Sequence, residues 1–150
     1  MSTKPYILLV EDNPDDVELT RRAFAKNHIA NEVMVLNDGA QAVEFLSGAV
    51  REGRALPQVI LLDLKLPKVS GLEVLEHIRA DRATCLIPTV ILTSSKQDED
   101  LLAGYRLGVN SYVRKPVDFN EFVEAVRQVG LYWLVLNEAP PAAGTGGVMS

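Results

Sequence analysis

Short apolar segments alternate with segments of helical periodicity along most of this chain, and this alternation limits the folds it can adopt. The apolar segments are Tyr6–Val10, Val33–Leu36, Val59–Leu62, Thr89–Leu92 and Tyr112–Val113. Strands that alternate with helices indicate βαβ crossovers, which build a parallel sheet covered by helices on both faces. The uninterrupted apolar run Val59-Ile60-Leu61-Leu62 supports this, because a strand buried on both faces lacks polar alternation. We therefore predict an α/β fold, a doubly wound (βα)5 domain with a parallel sheet.

The segments between the predicted strands carry signals that mark where helices begin. Ser70 is followed three residues later by Glu73, the spacing of a capping box. Pro14 suits the first turn of a helix, where its missing N–H has no helical partner to lose. The other helices are predicted to begin at Asp38-Gly39, Asp98 and Asp118. The fourth predicted helix runs to Leu107, directly before Gly108.

Length and charge narrow the classes of function. The chain has 150 residues, which fits one domain, and 15 Lys and Arg against 20 Asp and Glu give a net charge of −5. Negative net charge argues against broad contact with nucleic-acid phosphates. The longest apolar run, Leu131–Leu136, is far shorter than the roughly 20 residues of a membrane span. The single cysteine cannot form an internal disulfide. We expect a cytoplasmic protein with a domain at 1–136, a flexible tail at 137–150, and no nucleic-acid or membrane partner.

Acidic, hydroxyl and basic side chains stand at the carboxyl ends of four predicted strands, where ligands bind in open α/β sheets. Glu11 and Asp12 follow the first strand, and Asp63 follows the third. Thr93-Ser94 and Lys115 stand at the ends of the fourth and fifth strands. Because parallel strands end at the same edge of a sheet, we expect these side chains to converge.

Three clustered carboxylates need a cation or protons to offset their repulsion. Oxygen ligands without a neighbouring His or Cys suit Mg²⁺. Glu11 and Asp12 are paired as metal ligands would be, whereas Asp63 stands alone on its strand. A carboxylate can act as a nucleophile and form an acyl phosphate, so Asp63 is the best candidate for that role. Mg²⁺, Thr93 and Lys115 would then stabilise the charge of the phosphoryl group.

These residues resemble the receiver domain of two-component response regulators over about residues 5–130. The segments that carry the resemblance are Leu9–Asn13, Leu61–Pro67, Gly71, Pro88–Ser94 and Tyr112–Pro116. The resemblance implies the flavodoxin-like strand order 2-1-3-4-5. It also implies a phosphorylation switch and not an enzyme with turnover, because phosphoryl uptake and autodephosphorylation act on the protein's own side chain.

The resemblance implies a role for each residue at the sheet edge. Asp63 would accept a phosphoryl group from the phosphohistidine of a sensor histidine kinase. Mg²⁺, with Mn²⁺ as a substitute, would be held by Glu11, Asp12, Asp63 and the backbone carbonyl of Lys65. Thr93, Ser94 and Lys115 would bind the phosphoryl oxygens, and movement of Thr93 would let Tyr112 rotate inward as a switch. The Lys65 side chain departs from the family pattern. We expect it to obstruct the water that attacks the phosphoryl group and so to slow the loss of phosphate.

Single-domain regulators that act with phytochrome-type photosensor kinases are similar in further segments. These segments are Asp12–Asp16, Gly108–Tyr112 and Leu131–Leu134. We therefore expect such a kinase as a partner, and a downstream protein, whose identity the sequence does not give, as the receiver of the signal.

The last predicted helix is apolar on all sides from Leu131 to Leu136, which is typical of an interface. We predict a homodimer through the fourth helix, fifth strand and fifth helix. Its contacts would come from Leu131, Tyr132, Trp133 and Leu134. The alternative is that this end of the helix folds back over its own domain.

Three other functions remain open from the residues alone. A phosphatase of the haloacid dehalogenase type also uses an aspartyl nucleophile, but it expects a second Asp where this chain has Lys65. A flavodoxin-like flavin carrier shares the fold, but Glu11 and Asp12 would repel the flavin phosphate. A receiver-like module that binds partners without phosphorylation would have no need of the complete acidic set with Thr93 and Lys115.

Overall fold

The computed structural model describes residues 5–26, 28–66, 68–93, 111–114, 120–121 and 124–125. Of Thr93, Ser111 and Arg114, only the backbone is described. The predicted fourth helix, the predicted start of the fifth at Asp118, and the boundary between 1–136 and 137–150 lie outside these residues. Residues 120–121 and 124–125 are helical, which agrees with the prediction of a helix in this part of the chain.

The strands form one parallel sheet with β3 at its centre. They are β1 (Tyr6–Val10), β2 (Glu32–Leu36), β3 (Val59–Asp63), β4 (Thr89–Thr93) and β5 (Ser111–Arg114). Their order is β2-β1-β3-β4-β5, and each neighbouring pair is parallel. Every strand agrees with its predicted segment to within one residue at either end. The predicted doubly wound sheet and its strand order are confirmed.

Three helices are described along their whole length: α1 (Pro14–Lys26), α2 (Gly39–Glu52) and α3 (Gly71–Ala80). Asp38 caps α2, and its Oδ1 accepts a hydrogen bond of 2.8 Å from the backbone N–H of Gln41. Ser70 and Glu73 form the predicted capping box of α3, with hydrogen bonds of 3.2 and 3.0 Å. These caps satisfy N–H groups that the first turn leaves without helical partners. None of the helices in these ranges is long and apolar enough to cross a membrane.

Alternate residues of each strand face opposite sides of the sheet and build two apolar layers. One layer joins Ile7, Leu9, Val59, Leu61, Val90, Leu92 and Val113 to Ala23 and Phe24 of α1. The other joins Leu8, Val10, Ile60, Leu62 and Ile91 to Ala42, Leu46, Val74, Leu75 and Ile78 of α2 and α3. Burial of each large aliphatic side chain contributes about 1.5–3 kcal/mol to stability. The two layers thereby fix the strand register, and with it the positions of the residues at the strand ends.

Candidate functional site

The carboxyl edge of β1 and β3 brings three acidic side chains together. The two strands pair in parallel with Val10 opposite Leu62, so the residues that follow, Glu11 and Asp63, are neighbours. Glu11, Asp12 and Asp63 each place one carboxylate oxygen within 4.8 Å of those of the other two. Glu11 and Asp63 are buried and Asp12 is exposed. The structure thus gathers these three predicted site residues into one acidic cluster that reaches the surface at Asp12.

Hydrogen bonds within the loops after β1 and β3 orient the two buried carboxylates. The backbone N–H of Asn13 donates to Glu11 Oε2 at 3.2 Å, and that of Lys65 donates to Asp63 Oδ1 at 3.2 Å. The backbone N–H of Glu11 donates to the carbonyl oxygen of Leu36 at 2.9 Å, which extends the pairing of β1 with β2. Each carboxylate is therefore held by the chain around it and cannot easily move away from the others.

The charge of the acidic cluster favours a divalent cation. At 4.8 Å, two carboxylates repel each other by about 1 kcal/mol in water and by more where water is excluded. A cation between the three oxygens would replace this repulsion with attraction. The cluster contains neither His nor Cys, and carboxylate oxygens are the ligands that Mg²⁺ and Mn²⁺ prefer. The three side chains therefore fit such an ion.

The first turn of α3 lies directly against the backbone that follows β3. The backbone N–H of Gly71 donates to the carbonyl oxygen of Leu64 at 2.9 Å. A Cβ at Gly71 would lie 2.6 Å from Leu64 Cα and would overlap the carbonyl oxygen of Asp63. Only glycine permits this approach. In the sequence Gly71 is only one of the residues that carry the resemblance to receiver domains. The structure shows that it allows α3 to lie against the backbone of Asp63.

The other residues predicted for the site fall partly outside the described chain. Thr93 ends β4, the strand beside β3, so its backbone stands at the same edge as Asp63. The Lys65 side chain is exposed, while Tyr112 on β5 is partly buried against the apolar layer of α2 and α3. Outside the described residues lie the Thr93 side chain, Ser94, Lys115, Leu131, Tyr132, Trp133 and Leu134. Their roles in phosphoryl binding, switching and dimerisation stay predictions.

Sequence reasoning missed one ion pair beside this site. Lys68 Nζ, in the loop after β3, lies 3.6 Å from Oδ2 of the buried Asp38. The sequence identifies Asp38 only as the start of a helix, and no local pattern links it to Lys68. A contact between residues so far apart in sequence follows from the parallel sheet, which brings the loops after β2 and β3 to the same edge.

The arrangement of sheet and acidic cluster is matched by a known family. The model of the response regulator receiver domain matches residues 7–127. The chain belongs to this family. Receiver domains are phosphoacceptor signalling modules of two-component systems and are not classical enzymes. Membership favours the receiver interpretation over the phosphatase and the flavin carrier that the residues alone left open.

Several relatives of this receiver domain cover almost the same length of chain. The bacteriophytochrome response regulator RtBRR is 51% identical with a TM-score of 0.79, and the match covers 93% of this chain and 86% of that one. The probable methanogenesis regulatory protein FilR2 of Methanothrix harundinacea is 42% identical over 91% of this chain and 88% of its own. Response regulator Rcp1 of Synechocystis is 36% identical. Its Mn²⁺-bound crystal structure has a TM-score of 0.72 and covers 88% of this chain and 98% of that one.

Proposed function

We propose that this receiver domain accepts a phosphoryl group on Asp63 from a sensor histidine kinase, in a reaction that requires Mg²⁺. The observation that carries the proposal is the acidic cluster, in which Glu11, Asp12 and Asp63 place carboxylate oxygens within 4.8 Å of one another. The membership of a phosphoacceptor family and the Mn²⁺-bound structure of Rcp1 support it. Glu11, Asp12, Asp63 and the backbone carbonyl of Lys65 would hold the ion.

Asp63 is the proposed acceptor because of its place in the sheet. It ends the central strand, so groups at the ends of both β1 and β4 can surround a phosphoryl group attached to it. A carboxylate oxygen of Asp63 would attack the phosphorus of a phosphohistidine. The P–O bond would form as the P–N bond breaks, and the imidazole would leave and take up a proton. When bound, Mg²⁺ supplies positive charge to the phosphoryl oxygens.

The remaining contacts to the phosphoryl group would come from β4 and β5. In this proposal Thr93 and Ser94 donate hydrogen bonds to its oxygens, and Lys115 balances its charge. Thr93 and Tyr112 form the switch: Thr93 moves toward the phosphoryl group and Tyr112 rotates inward. Tyr112 is already partly buried against an apolar layer, so its rotation would change that packing.

Lys65 is proposed to lengthen the life of the phosphorylated state. Its backbone N–H donates to Asp63 Oδ1, and its side chain is exposed just beyond the acceptor. There the side chain can shield the phosphoryl group from water. Lys65→Asn should therefore lose phosphate faster than wild type; an unchanged rate of dephosphorylation would show that the side chain has no such role.

The proposed partner is a phytochrome-type kinase, because RtBRR is a bacteriophytochrome response regulator and is 51% identical. We further propose a homodimer through the predicted interface Leu131–Leu134. The rate of phosphotransfer from a purified phytochrome-type kinase, compared with the rate from an unrelated histidine kinase, tests the proposed kinase partner. Sedimentation of the chain with and without phosphorylation tests the proposed homodimer, and a monomer mass at every concentration would contradict dimerisation.

Incubation with Mg²⁺ and a small phosphodonor such as acetyl phosphate tests the proposal as a whole. Intact mass spectrometry should show one added phosphoryl group on wild type, and none when Mg²⁺ is removed by a chelator. Asp63→Asn keeps the shape of the side chain and should stay unlabelled. Asp15→Asn is the matched control, since Asp15 is an exposed carboxylate in the first turn of α1, and it should be labelled like wild type. Equal labelling of Asp63→Asn would refute the proposal.

A further inference from the structure

The loop after Asp63 is tied to the N-terminal end of α2 by a pair of opposite charges. Lys68 Nζ lies 3.6 Å from Asp38 Oδ2, and the Asp38 side chain is only 8% exposed, against 70% for Lys68. The other oxygen of Asp38, Oδ1, accepts the capping hydrogen bond from Gln41. One buried carboxylate therefore holds the helix end with one oxygen and the loop with the other.

The backbone of this loop is held in an unusual conformation at the same point. Lys68 has a φ of 68°, in the left-handed region that few residues other than glycine adopt. Such a conformation persists where the surrounding structure holds it. The next residue, Val69, packs closely against the first residue of α2, Gly39. A Cβ at Gly39 would lie 2.7 Å from the carbonyl carbon of Val69 and would overlap the Val69 carbonyl oxygen. Lys68 and Val69 are thus both fixed against the first residues of α2.

The other end of the same loop is fixed at the acidic cluster. Asp63 Oδ1 accepts the backbone N–H of Lys65, and Gly71 packs against the backbone of Asp63 and Leu64. The loop therefore runs from the proposed phosphoacceptor to its anchor on α2 within a few residues. Lys65, whose carbonyl is a proposed ligand, lies between these two anchors.

We infer that Asp38 and Lys68 are positioning residues for the acidic cluster. Their ion pair holds the loop so that Asp63 and the Lys65 carbonyl face the same cation. Loss of either partner removes one of the contacts that hold the loop and lowers cation affinity, although neither side chain touches the ion. This inference rests on the proposed function, because it takes a divalent cation to bind among Glu11, Asp12 and Asp63.

The direction of the change in cation affinity distinguishes a positioning role from a purely electrostatic one. Lys68→Met removes a positive charge near a cation site, and through charge alone it would tighten cation binding. Asp38→Asn removes a negative charge, and through charge alone it would weaken binding. If the pair positions the loop, both substitutions weaken binding. Lys68→Met is therefore the decisive variant.

The test is a titration of the full chain with Mn²⁺, followed by calorimetry or by the electron paramagnetic resonance of the free ion. Asp38→Asn keeps a side-chain oxygen for the helix cap, and Lys68→Met keeps the length of the side chain. Each should weaken Mn²⁺ binding about two- to fivefold, the range that one partly exposed ion pair can supply. Glu44→Gln is the matched control, because Glu44 is also on α2 and pairs with Arg51 at 3.9 Å, with both side chains exposed. It should leave the affinity unchanged.

The double variant Asp38→Asn with Lys68→Met tests whether the two residues act through each other. Its loss of affinity should be smaller than the product of the two single losses, since both remove the same contact. Unchanged or tighter Mn²⁺ binding by Lys68→Met, while thermal unfolding shows a folded protein, would overturn the inference. Absence of Mn²⁺ binding by wild type would instead refute the proposed function itself.

Discussion

Gly71→Ala is expected to destabilise the protein and displace the proposed phosphoacceptor. Gly71 is the first residue of α3, and its backbone N–H donates to Leu64. An alanine Cβ would lie 2.6 Å from Leu64 Cα, about 1 Å inside the usual separation of two carbon atoms in contact. It would also overlap the carbonyl oxygen of Asp63. Both obstructing groups are backbone, so no side-chain rotation can relieve the overlap.

The loss of stability in Gly71→Ala can be estimated from the backbone displacement that the clash requires. Overpacking in a well-packed interior costs typically about 1–3 kcal/mol, and a clash with backbone belongs at the upper end. We therefore expect the free energy of unfolding to fall by about 3 kcal/mol. For a chain of this length this lowers the melting temperature by about 6–12 °C. Because α3 would have to move away from Asp63, Mn²⁺ affinity should fall as well.

Urea and thermal unfolding measure the first effect, and Mn²⁺ titration measures the second. Gly48→Ala provides the control, because it is the same substitution at a buried glycine inside α2. There the nearest atom to a new Cβ is Arg54 Nη2 at 3.0 Å, the mobile end of a long side chain. Alanine is the better helix former, so Gly48→Ala should stabilise the protein by about 0.5–1 kcal/mol. Equal stability of Gly71→Ala and wild type would refute the reasoning.

Three further substitutions test other contacts. Tyr6→Phe removes a 2.8 Å hydrogen bond to the Ala55 carbonyl and should cost about 1 kcal/mol near pH 7 by urea unfolding. Burial raises the pKa of the Tyr6 hydroxyl above its usual 10.0, despite the opposing charge of Arg54. The folded state thus holds this proton more tightly, and the stabilisation is lost as pH rises above 10.0 and through the raised pKa. The unfolding free energies of wild type and Tyr6→Phe should therefore start to converge above pH 10.0 and meet above the raised pKa; a difference that does not change with pH would contradict this. The Arg79 guanidinium donates to the backbone carbonyls of Cys85 and Ile87, each at 3.0 Å. Arg79→Met removes both hydrogen bonds and should lower the free energy of unfolding by about 1–3 kcal/mol; an unchanged midpoint of urea unfolding would refute that role. Asp12→Asn relieves repulsion in the acidic cluster, so with a chelator present its free energy of unfolding should exceed that of wild type by about 1 kcal/mol. Added Mg²⁺ should cancel or reverse this difference, and the same difference in both conditions would refute the cation site.

The strands and the acidic cluster could be predicted because their signals are local. A buried parallel strand such as Val59–Leu62 is apolar throughout, and residues that follow such strands must stand at one edge of the sheet. The helix starts at Asp38 and Ser70 were likewise predictable, since a cap needs only the residues beside it.

Contacts between distant loops and the finer packing of helices could not be predicted in this way. The Lys68–Asp38 ion pair and the close approach at Gly71 depend on how loops from different strands meet. The burial of single residues on α1 could not be predicted from their polarity either. Thr20 is fully buried while Leu19 is only partly so. The polar Thr20 side chain can be buried because its hydroxyl donates to the Asp16 carbonyl at 2.8 Å.

Asp63, and not either of the carboxylates beside it, is proposed to accept the phosphoryl group. The most direct measurement is to phosphorylate the full chain with acetyl phosphate and Mg²⁺, reduce the acyl phosphate with borohydride, and locate the modified residue by peptide mass spectrometry. Reduction converts a phosphorylated Asp to homoserine, which marks the position. Homoserine is expected at position 63 alone. Modification at Glu11 or Asp12, or a chain without modification, would contradict it.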